Sequence, residues 1–126
     1  MTSDIKFSAL TFILVSTILG AVGQIFIKRG LNHLGTLDIS SGIVLMYLKI
    51  FLSPLVIAGI GTYFLGVFFW LYGLSKVELS FAFPFVSLSY VFVFLLSMFF
   101  LGESIPLMRW IGLLTICLGV VLVGRT

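Results

Sequence analysis

Charged residues are scarce in this chain: Asp, Glu, Lys and Arg together make up 9% of its 126 residues, against 61% hydrophobic residues. A soluble domain carries about 25% charged residues on its water-facing surface. A chain this poor in charge cannot cover such a surface, so it is predicted to be an integral membrane protein solvated by lipid. Its length suits a single domain, residues 1–126, built from a few helices.

The chain has a single cysteine and no nucleotide-binding motif. The lone Cys117 excludes an intrachain disulfide and a cysteine metal site, and it is interpreted as a small apolar filler. No Walker-type glycine loop is present, and no cluster of cations and aromatics lies in a polar segment. We therefore expect no cofactor, no metal, no nucleic acid partner and no enzymatic activity.

Long uncharged runs take up most of the chain. A hydrocarbon core of about 30 Å needs roughly 20 apolar helical residues. Four stretches satisfy this length and predict an all-α membrane protein with spans at about 7–29, 50–75, 79–102 and 105–124. The fourth span is predicted to start with Ser104 as N-cap and Pro106 in the first turn.

Residues 31–49 are the least regular part of the sequence. Asn32, His33 and Gly35 predict a turn-rich loop, in which His33 is interpreted as a solvated residue. Asp38 or Ser40 is predicted to cap a short helix after this loop. That helix either lies in the membrane interface or extends the second span.

Small residues recur every seven positions in two spans. Gly59, Gly66 and Gly73 predict a groove on the second span that another helix can approach closely. The fourth span repeats the pattern, and we expect a homodimer or heterodimer built on it, with the interface residues Gly112, Thr115 and Gly119.

Polar groups at membrane depth are costly, so they suggest functional positions. Gln24 and Lys28 lie one helical turn apart and share a face of the first span. In the third span, Pro84 predicts a kink, which is followed by Ser87, Ser89 and Tyr90. These hydroxyl groups either line a cavity or donate to carbonyls of their own helix.

Four spans place both termini on one side of the membrane. Lys6, Lys76 and Arg125 then lie on that side, and the opposite side carries Lys28, Arg29, Lys49 and Arg109. A clear excess of cations is needed to fix orientation. With three cations on one side and four on the other, the sequence does not decide the orientation, and insertion in both orientations stays open.

Longer motifs resemble a known superfamily. The stretch Ile111–Gly124 looks like the dimer-forming last helix of the small multidrug resistance family. Ser80–Tyr90, Leu101-Gly-Glu-Ser and Arg109-Trp-Ile-Gly112 are closer to EamA-type members of the drug/metabolite transporter superfamily. Within that group the chain most resembles the small subunits of the aminoarabinose-phosphoundecaprenol flippase. The resemblance implies a four-helix, EmrE-like fold that acts as a dimer in the bacterial inner membrane.

Two positions depart from the small multidrug resistance pattern. Gly20 stands where those exporters carry a membrane-embedded glutamate, and Val86 stands where they carry a substrate-stacking tryptophan. Glu78 and Glu103 fall at span ends and do not replace that glutamate. Proton exchange for a cation needs a titratable group at mid-membrane, so the resemblance does not imply proton-coupled cation export.

The leading hypothesis is therefore a flippase for a polyprenyl-phosphate-linked sugar or aminosugar, or for a related anionic lipid. The predicted sugar contacts are Gln24, Ser87, Ser89 and Tyr90; Lys28 and Arg109 are predicted for the phosphate and Glu103 for an amino group. Arg29 and Lys49 lie on the same side as Lys28 and Arg109. They either extend this basic rim for the phosphate or are anchors that snorkel to lipid headgroups, and the second interpretation is preferred.

Two other hypotheses stay open. One is an exporter of small cationic or amphipathic solutes, which would use the aromatic side chains of Tyr63, Trp70 and Tyr90. Tyr63 joins the seven contacts named above as the eighth predicted substrate-binding residue. The other is a membrane subunit that transports nothing and positions a partner.

Overall fold

The structure, a computed structural model, describes residues 3–126 apart from the side chain of Ser41. It contains six α-helices and one short 3₁₀ helix within this range. They are α1 (Ser3–Leu34), the 3₁₀ helix Ile39–Ser41, α2 (Ile43–Phe51), α3 (Pro54–Leu74), α4 (Leu79–Val86), α5 (Ser89–Phe100) and α6 (Leu107–Gly124). α1, α3, the α4–α5 unit and α6 are long and apolar enough to cross a membrane, which confirms the four predicted spans.

The first span is longer than predicted. α1 has 32 residues, which at 1.5 Å per residue is about 48 Å of helix. This length exceeds the hydrocarbon core, so α1 continues beyond the membrane surface through residues that the sequence analysis assigned to a loop. His33 consequently lies in the last helical turn of α1.

The connection after α1 contains two short helices. The Asp38 side chain caps the 3₁₀ helix by accepting from the Ser40 amide at 2.9 Å and from its hydroxyl at 2.6 Å. These hydrogen bonds lower the pKa of Asp38 below its ordinary value. α2 begins separately after Gly42, whose φ of 106° suits glycine, and it has no side-chain cap. α2 does not extend the second span, because α3 starts at Pro54.

α1 and α3 form the closest helix pair. The predicted groove of Gly59, Gly66 and Gly73 is confirmed, and α1 of the same chain fills it. A Cβ atom on Gly59 would lie 2.5 Å from the Gly23 carbonyl oxygen, and one on Gly73 would lie 2.7 Å from Ile13 Cγ1. Lipid gives no hydrophobic drive for helix association, so such close backbone packing holds the pair together.

The third span is broken where a kink was predicted. Pro84 has no N–H to donate to the Ser80 carbonyl, and α4 ends at Val86. Around Ser87 and Leu88 the backbone amides donate three residues back, to Pro84 and Phe85, at 3.1 Å each. The predicted span therefore consists of two helices joined by a tight turn.

α6 is the most peripheral of the four spans. α6 packs on α4 near the C-terminal end of α6. Trp110 of α6 meets Phe94 of α5 edge-on, with 6.1 Å between the ring centroids. The prediction that Ser104 caps this helix is wrong, because Pro106 is the N-cap residue and the helix starts at Leu107. The Lys6 ammonium donates to the Thr126 backbone oxygen at 3.1 Å, which confirms that both ends of the chain lie on one side.

Candidate functional site

A cavity of about 320 Å³ lies between α1, α3, α4 and α5. Tyr63 and Gly66 lie near the middle of α3, and Ser89 starts α5 near the middle of the third span. The cavity therefore lies at mid-membrane depth, and we call it the central cavity. Its lining residues are Ser16, Thr17, Gly20, Ala21, Gln24, Tyr63, Gly66, Val67, Trp70, Phe83, Val86, Ser89 and Val93.

The α1 wall follows from helical spacing. Ser16, Gly20 and Gln24 occur at four-residue intervals, which aligns them along one face. Gly20 keeps space open in the middle of this row. A Cβ atom there would lie 3.6 Å from the Tyr63 ring, an ordinary contact, so a side chain on Gly20 would extend into the cavity.

The polar groups that face the central cavity are uncharged. Among the described residues, the side chains of Ser16, Gln24, Tyr63 and Ser89 have no hydrogen-bond partner in the protein. The Thr17 hydroxyl differs, because it donates to the Ile13 carbonyl oxygen at 2.8 Å. The cavity can thus offer several free donors and acceptors to a ligand, and no Asp, Glu, Lys or Arg contributes to its lining.

Aromatic rings form the opposite wall. The Trp70 and Phe83 rings meet edge-on with centroids 6.2 Å apart and an interplanar angle of 76°. This edge-to-face arrangement is a preferred geometry for aromatic pairs. The pair adds apolar aromatic surface to the lining of the central cavity.

The two positions that depart from the small multidrug resistance pattern, Gly20 and Val86, both line the central cavity. The missing carboxylate and the missing tryptophan therefore change the same space. At its centre the cavity is consequently neutral and more open than one with those two side chains.

The structure brings together three of the eight predicted binding residues, namely Gln24, Tyr63 and Ser89. Ser87 lies in the break, and its hydroxyl donates to the Pro84 carbonyl, so it follows the alternative of bonding within its own segment. Outside the central cavity lie Lys28, Tyr90, Glu103 and Arg109, all of them exposed. Lys28 is one turn beyond Gln24 on the same helix.

Ser16 and Phe83 line the central cavity although no sequence prediction names them, and Trp70 is predicted only for cation export. The signal for Ser16 was available: Ser16, Gly20 and Gln24 form a polar and small row in an otherwise apolar span. Phe83 is one of 14 phenylalanines, and nothing in the sequence distinguishes it from the others.

The predicted dimer residues lie on the outer face of α6. Gly112, Thr115 and Gly119 are exposed, and a Cβ atom on either glycine would meet nothing within 4 Å. The Thr115 hydroxyl donates to the Ile111 carbonyl at 2.9 Å. This face of α6 is thus free of contacts from the described part of the chain.

The comparisons with known proteins identify relatives across the whole chain. Residues 3–125 match the model of the EamA-like transporter family. The chain is 32% identical over 117 residues to the probable 4-amino-4-deoxy-L-arabinose-phosphoundecaprenol flippase subunit ArnF of Photorhabdus laumondii, with 89% of this chain and 93% of that protein covered. It is 30% identical to the probable ArnF subunit of Proteus mirabilis, with coverage of 89% and 88%.

The probable ArnE subunit of Aeromonas hydrophila is 35% identical over 72 residues, which cover 57% of this chain and 63% of that protein. No solved structure matches. The predicted resemblance to EamA-type proteins is confirmed, as is the prediction of a multi-pass protein of the inner membrane. This four-span chain belongs to the EamA-like transporter family.

Proposed function

We propose that the chain flips a polyprenyl-phosphate-linked sugar or aminosugar across the bacterial inner membrane. The observation that carries this proposal is the neutral, hydrogen-bonding central cavity at mid-membrane depth, formed around Gln24, Tyr63 and Ser89. The names of the ArnF and ArnE relatives, which specify an aminoarabinose-phosphoundecaprenol flippase, support the same substrate class.

The cavity fits an uncharged sugar ring. Its volume of about 320 Å³ falls within the roughly 300–1,000 Å³ range of small-molecule sites. Sugar hydroxyls both donate and accept hydrogen bonds, as do the Gln24 amide and the hydroxyls of Tyr63 and Ser89. The Trp70–Phe83 pair offers an apolar face against which the ring can lie.

The rest of the substrate stays outside the central cavity. The polyprenyl tail remains in lipid, and only the headgroup crosses between the helices. Lys28, exposed one turn beyond Gln24, can attract the phosphate at the end of the path. Glu103 can pair with an amino group on an aminosugar. No covalent step is needed, so the chain acts as a transporter and not as an enzyme.

The aromatic wall favours a second candidate function, the export of small cationic or amphipathic solutes. Tyr63 and Trp70 both line the cavity, and their ring faces attract cations. The absence of a carboxylate from the lining makes this candidate weaker, because no charge compensates a desolvated cation. A non-transporting role would instead leave the substrate in its original leaflet.

We infer that the working unit is a dimer, in which the outer face of α6 contacts either a second copy or a related four-helix subunit. Four spans with α6 at the periphery leave the Gly112–Gly119 face without contacts from the described chain. Small residues on such a face allow a second helix to approach closely. The ArnE and ArnF names of the relatives support a partner of related sequence.

Translocation of an amine-bearing substrate in liposomes tests the proposed function. Purified protein, alone or with its related subunit, is reconstituted with a polyprenyl-phosphate aminosugar that starts in the inner leaflet. A membrane-impermeant amine-reactive reagent then reports how much sugar reaches the outer leaflet. We expect rapid labelling with the protein and slow labelling in empty liposomes. Equal rates would contradict a flippase, and protein-dependent efflux of a quaternary ammonium compound would favour the second candidate.

A further inference from the structure

A second cavity, of about 310 Å³, lies where the C-terminal end of α1 meets the C-terminal end of α5. It is lined by Arg29, Asn32, His33, Phe100 and Leu101, and we call it the interfacial cavity. Both helix ends lie near one end of the bundle, since α1 continues to Leu34 and the third span ends at Phe100. The cavity is therefore at the membrane surface, away from the central cavity.

One face of α1 supplies all the polar groups of this cavity. Arg29, Asn32 and His33 are three and four residues apart, so their side chains project together. The guanidinium carries five N–H donors, the amide two, and the imidazole at least one. This arrangement concentrates hydrogen-bond donors and a fixed positive charge at one point.

Within the described residues 3–126, these donors have no hydrogen-bond acceptor. Among residues 3–126, none of the three side chains has a hydrogen bond or a salt bridge. No carboxylate contributes to the lining of the cavity. Arg29 therefore has no carboxylate partner in the cavity lining, and an anion with several acceptor oxygens is a ligand that its guanidinium can bind.

The other wall of the interfacial cavity is apolar. Phe100 is 60% exposed, and it lines the cavity together with Leu101. An inorganic anion would gain nothing from this wall. An amphiphile would contact both walls, with its anionic group at Arg29 and the first carbons of its chain beside Phe100.

A row of polar side chains connects the two cavities. Gln24, Lys28 and Asn32 recur every four residues along α1, and the row joins the central cavity to the interfacial one. Eight residues of helix correspond to about 12 Å between its ends. Lys28, which lines neither cavity, stands midway along this row.

We propose that the interfacial cavity binds the phosphate group of a membrane lipid through Arg29, Asn32 and His33, and that the lipid chain lies against Phe100 and Leu101. The use of this site to load a substrate rests on the proposed flippase function, whereas the binding itself does not. Arg29 is then a ligand-binding residue and not only an anchor to headgroups.

Binding of a simple prenyl phosphate tests the site without any sugar or transport. The purified chain in nanodiscs of phosphatidylcholine is titrated with geranylgeranyl phosphate, and bound ligand is counted by native mass spectrometry. The variants Arg29→Gln and His33→Gln remove the proposed contacts. Lys49→Gln is the matched control, since it removes one exposed cation at the same end of the bundle but lines no part of the cavity.

We expect Arg29→Gln to weaken binding by about tenfold or more, because a hydrogen bond to a charged group is worth about 1.5–3 kcal/mol. His33→Gln should weaken it less, and Lys49→Gln should leave it nearly unchanged. If the Arg29 variant does not fold, Asn32→Leu replaces it in the binding measurement, because it removes another of the proposed contacts. Equal losses of affinity in the Arg29 and Lys49 variants would show that binding depends on general surface charge, and this result would overturn the site.

Two comparisons identify the source of the phosphate. Geranylgeraniol, which has the chain but no phosphate, should not bind at the site. Millimolar inorganic phosphate should not displace the lipid, and displacement at that concentration would overturn a lipid ligand. Arg29-dependent binding without sugar translocation would contradict the flippase function and leave the site standing. Normal translocation with no Arg29-dependent binding would contradict the site alone.

Discussion

Gly23 of α1 and Gly59 of α3 face each other with their backbones in contact. A Cβ atom on Gly23 would lie 2.7 Å from the Gly59 carbonyl oxygen, and one on Gly59 would lie 2.5 Å from the Gly23 carbonyl oxygen. Neither position can accept a methyl group unless the helices separate. This contact sets the distance between the two helices that carry Gln24 and Tyr63 into the central cavity.

Gly59→Ala is therefore expected to destabilise the fold. Forcing a methyl group into a close contact costs typically about 1–3 kcal/mol. The free energy of unfolding is measured by SDS titration in mixed micelles. Gly61→Ala, on the same helix, is the control, because a Cβ atom there would meet nothing within 4 Å. Equal stability of the two variants would show that the glycine contact does not hold α1 to α3.

Gly20→Glu should change the ligand preference of the central cavity. The position accepts a Cβ atom, which would lie 3.6 Å from the Tyr63 ring, and the carboxylate would enter the cavity that Tyr63 and Trp70 also line. We expect tighter binding of tetraphenylphosphonium, measured by equilibrium dialysis in detergent, and slower translocation of the anionic lipid-linked sugar. The isosteric variant Gly20→Gln separates charge from volume. If both variants behave alike, the neutrality of the cavity is not what selects the substrate.

Pro84→Ala should make the third span more continuous. Alanine restores an N–H donor for the Ser80 carbonyl, and a proline in a helix interior costs about 3 kcal/mol. The backbone amides of Ser87 and Leu88, which now donate three residues back in the break, are expected to exchange with deuterium more slowly. A more continuous helix should also turn Ser89 away from the cavity, and translocation should then be slower. Pro106→Ala is the control, because Pro106 precedes α6. Faster exchange in the Pro84 variant would contradict this account of the break.

Gly112→Leu combined with Gly119→Leu is expected to leave mainly monomer in mild detergent. Bulky side chains on the outer face of α6 would prevent close approach of a second helix. The mass of the protein component is measured by light scattering coupled to size-exclusion chromatography. Gly61→Leu places one such leucine at an open position on α3 and should leave the dimer intact. A dimer that persists in the double variant would move the interface elsewhere.

The sequence predicts the spans and the glycine groove well, because both depend on local patterns. Long uncharged runs indicate the four spans directly. The seven-residue spacing of Gly59, Gly66 and Gly73 indicates a face on which another helix can pack closely. The sequence does not identify α1 as the helix that fills this groove, since glycines accept any helix of suitable shape. It also predicts a kink at Pro84, where the structure has a break with the Ser87 hydroxyl bonded to the Pro84 carbonyl.

The candidate site was predicted only in part, for a physical reason. Gln24, Tyr63 and Ser89 are polar groups inside apolar spans, and their cost in lipid makes them visible in a sequence. Phe83 is an ordinary residue for a membrane helix, and it becomes a site residue only when α1 and α4 are brought together. Ser16 differs, because its spacing from Gly20 and Gln24 on α1 is visible in the sequence. His33 is predicted to be a loop residue, but α1 continues to Leu34, so His33 lies in the last helical turn.

The central claim is that the uncharged polar groups of the central cavity bind the sugar during translocation. Translocation by the Gln24→Leu variant, followed with the impermeant amine-reactive reagent, tests it most directly. Thr11→Val is the control, because Thr11 is on the same helix, is exposed, and donates to the Phe7 carbonyl outside the cavity. We expect Gln24→Leu to slow translocation by about tenfold or more, since a buried polar group of the sugar would lose its partner, with Thr11→Val close to the unmodified protein. Equal rates for the two variants and the unmodified protein would contradict the claim.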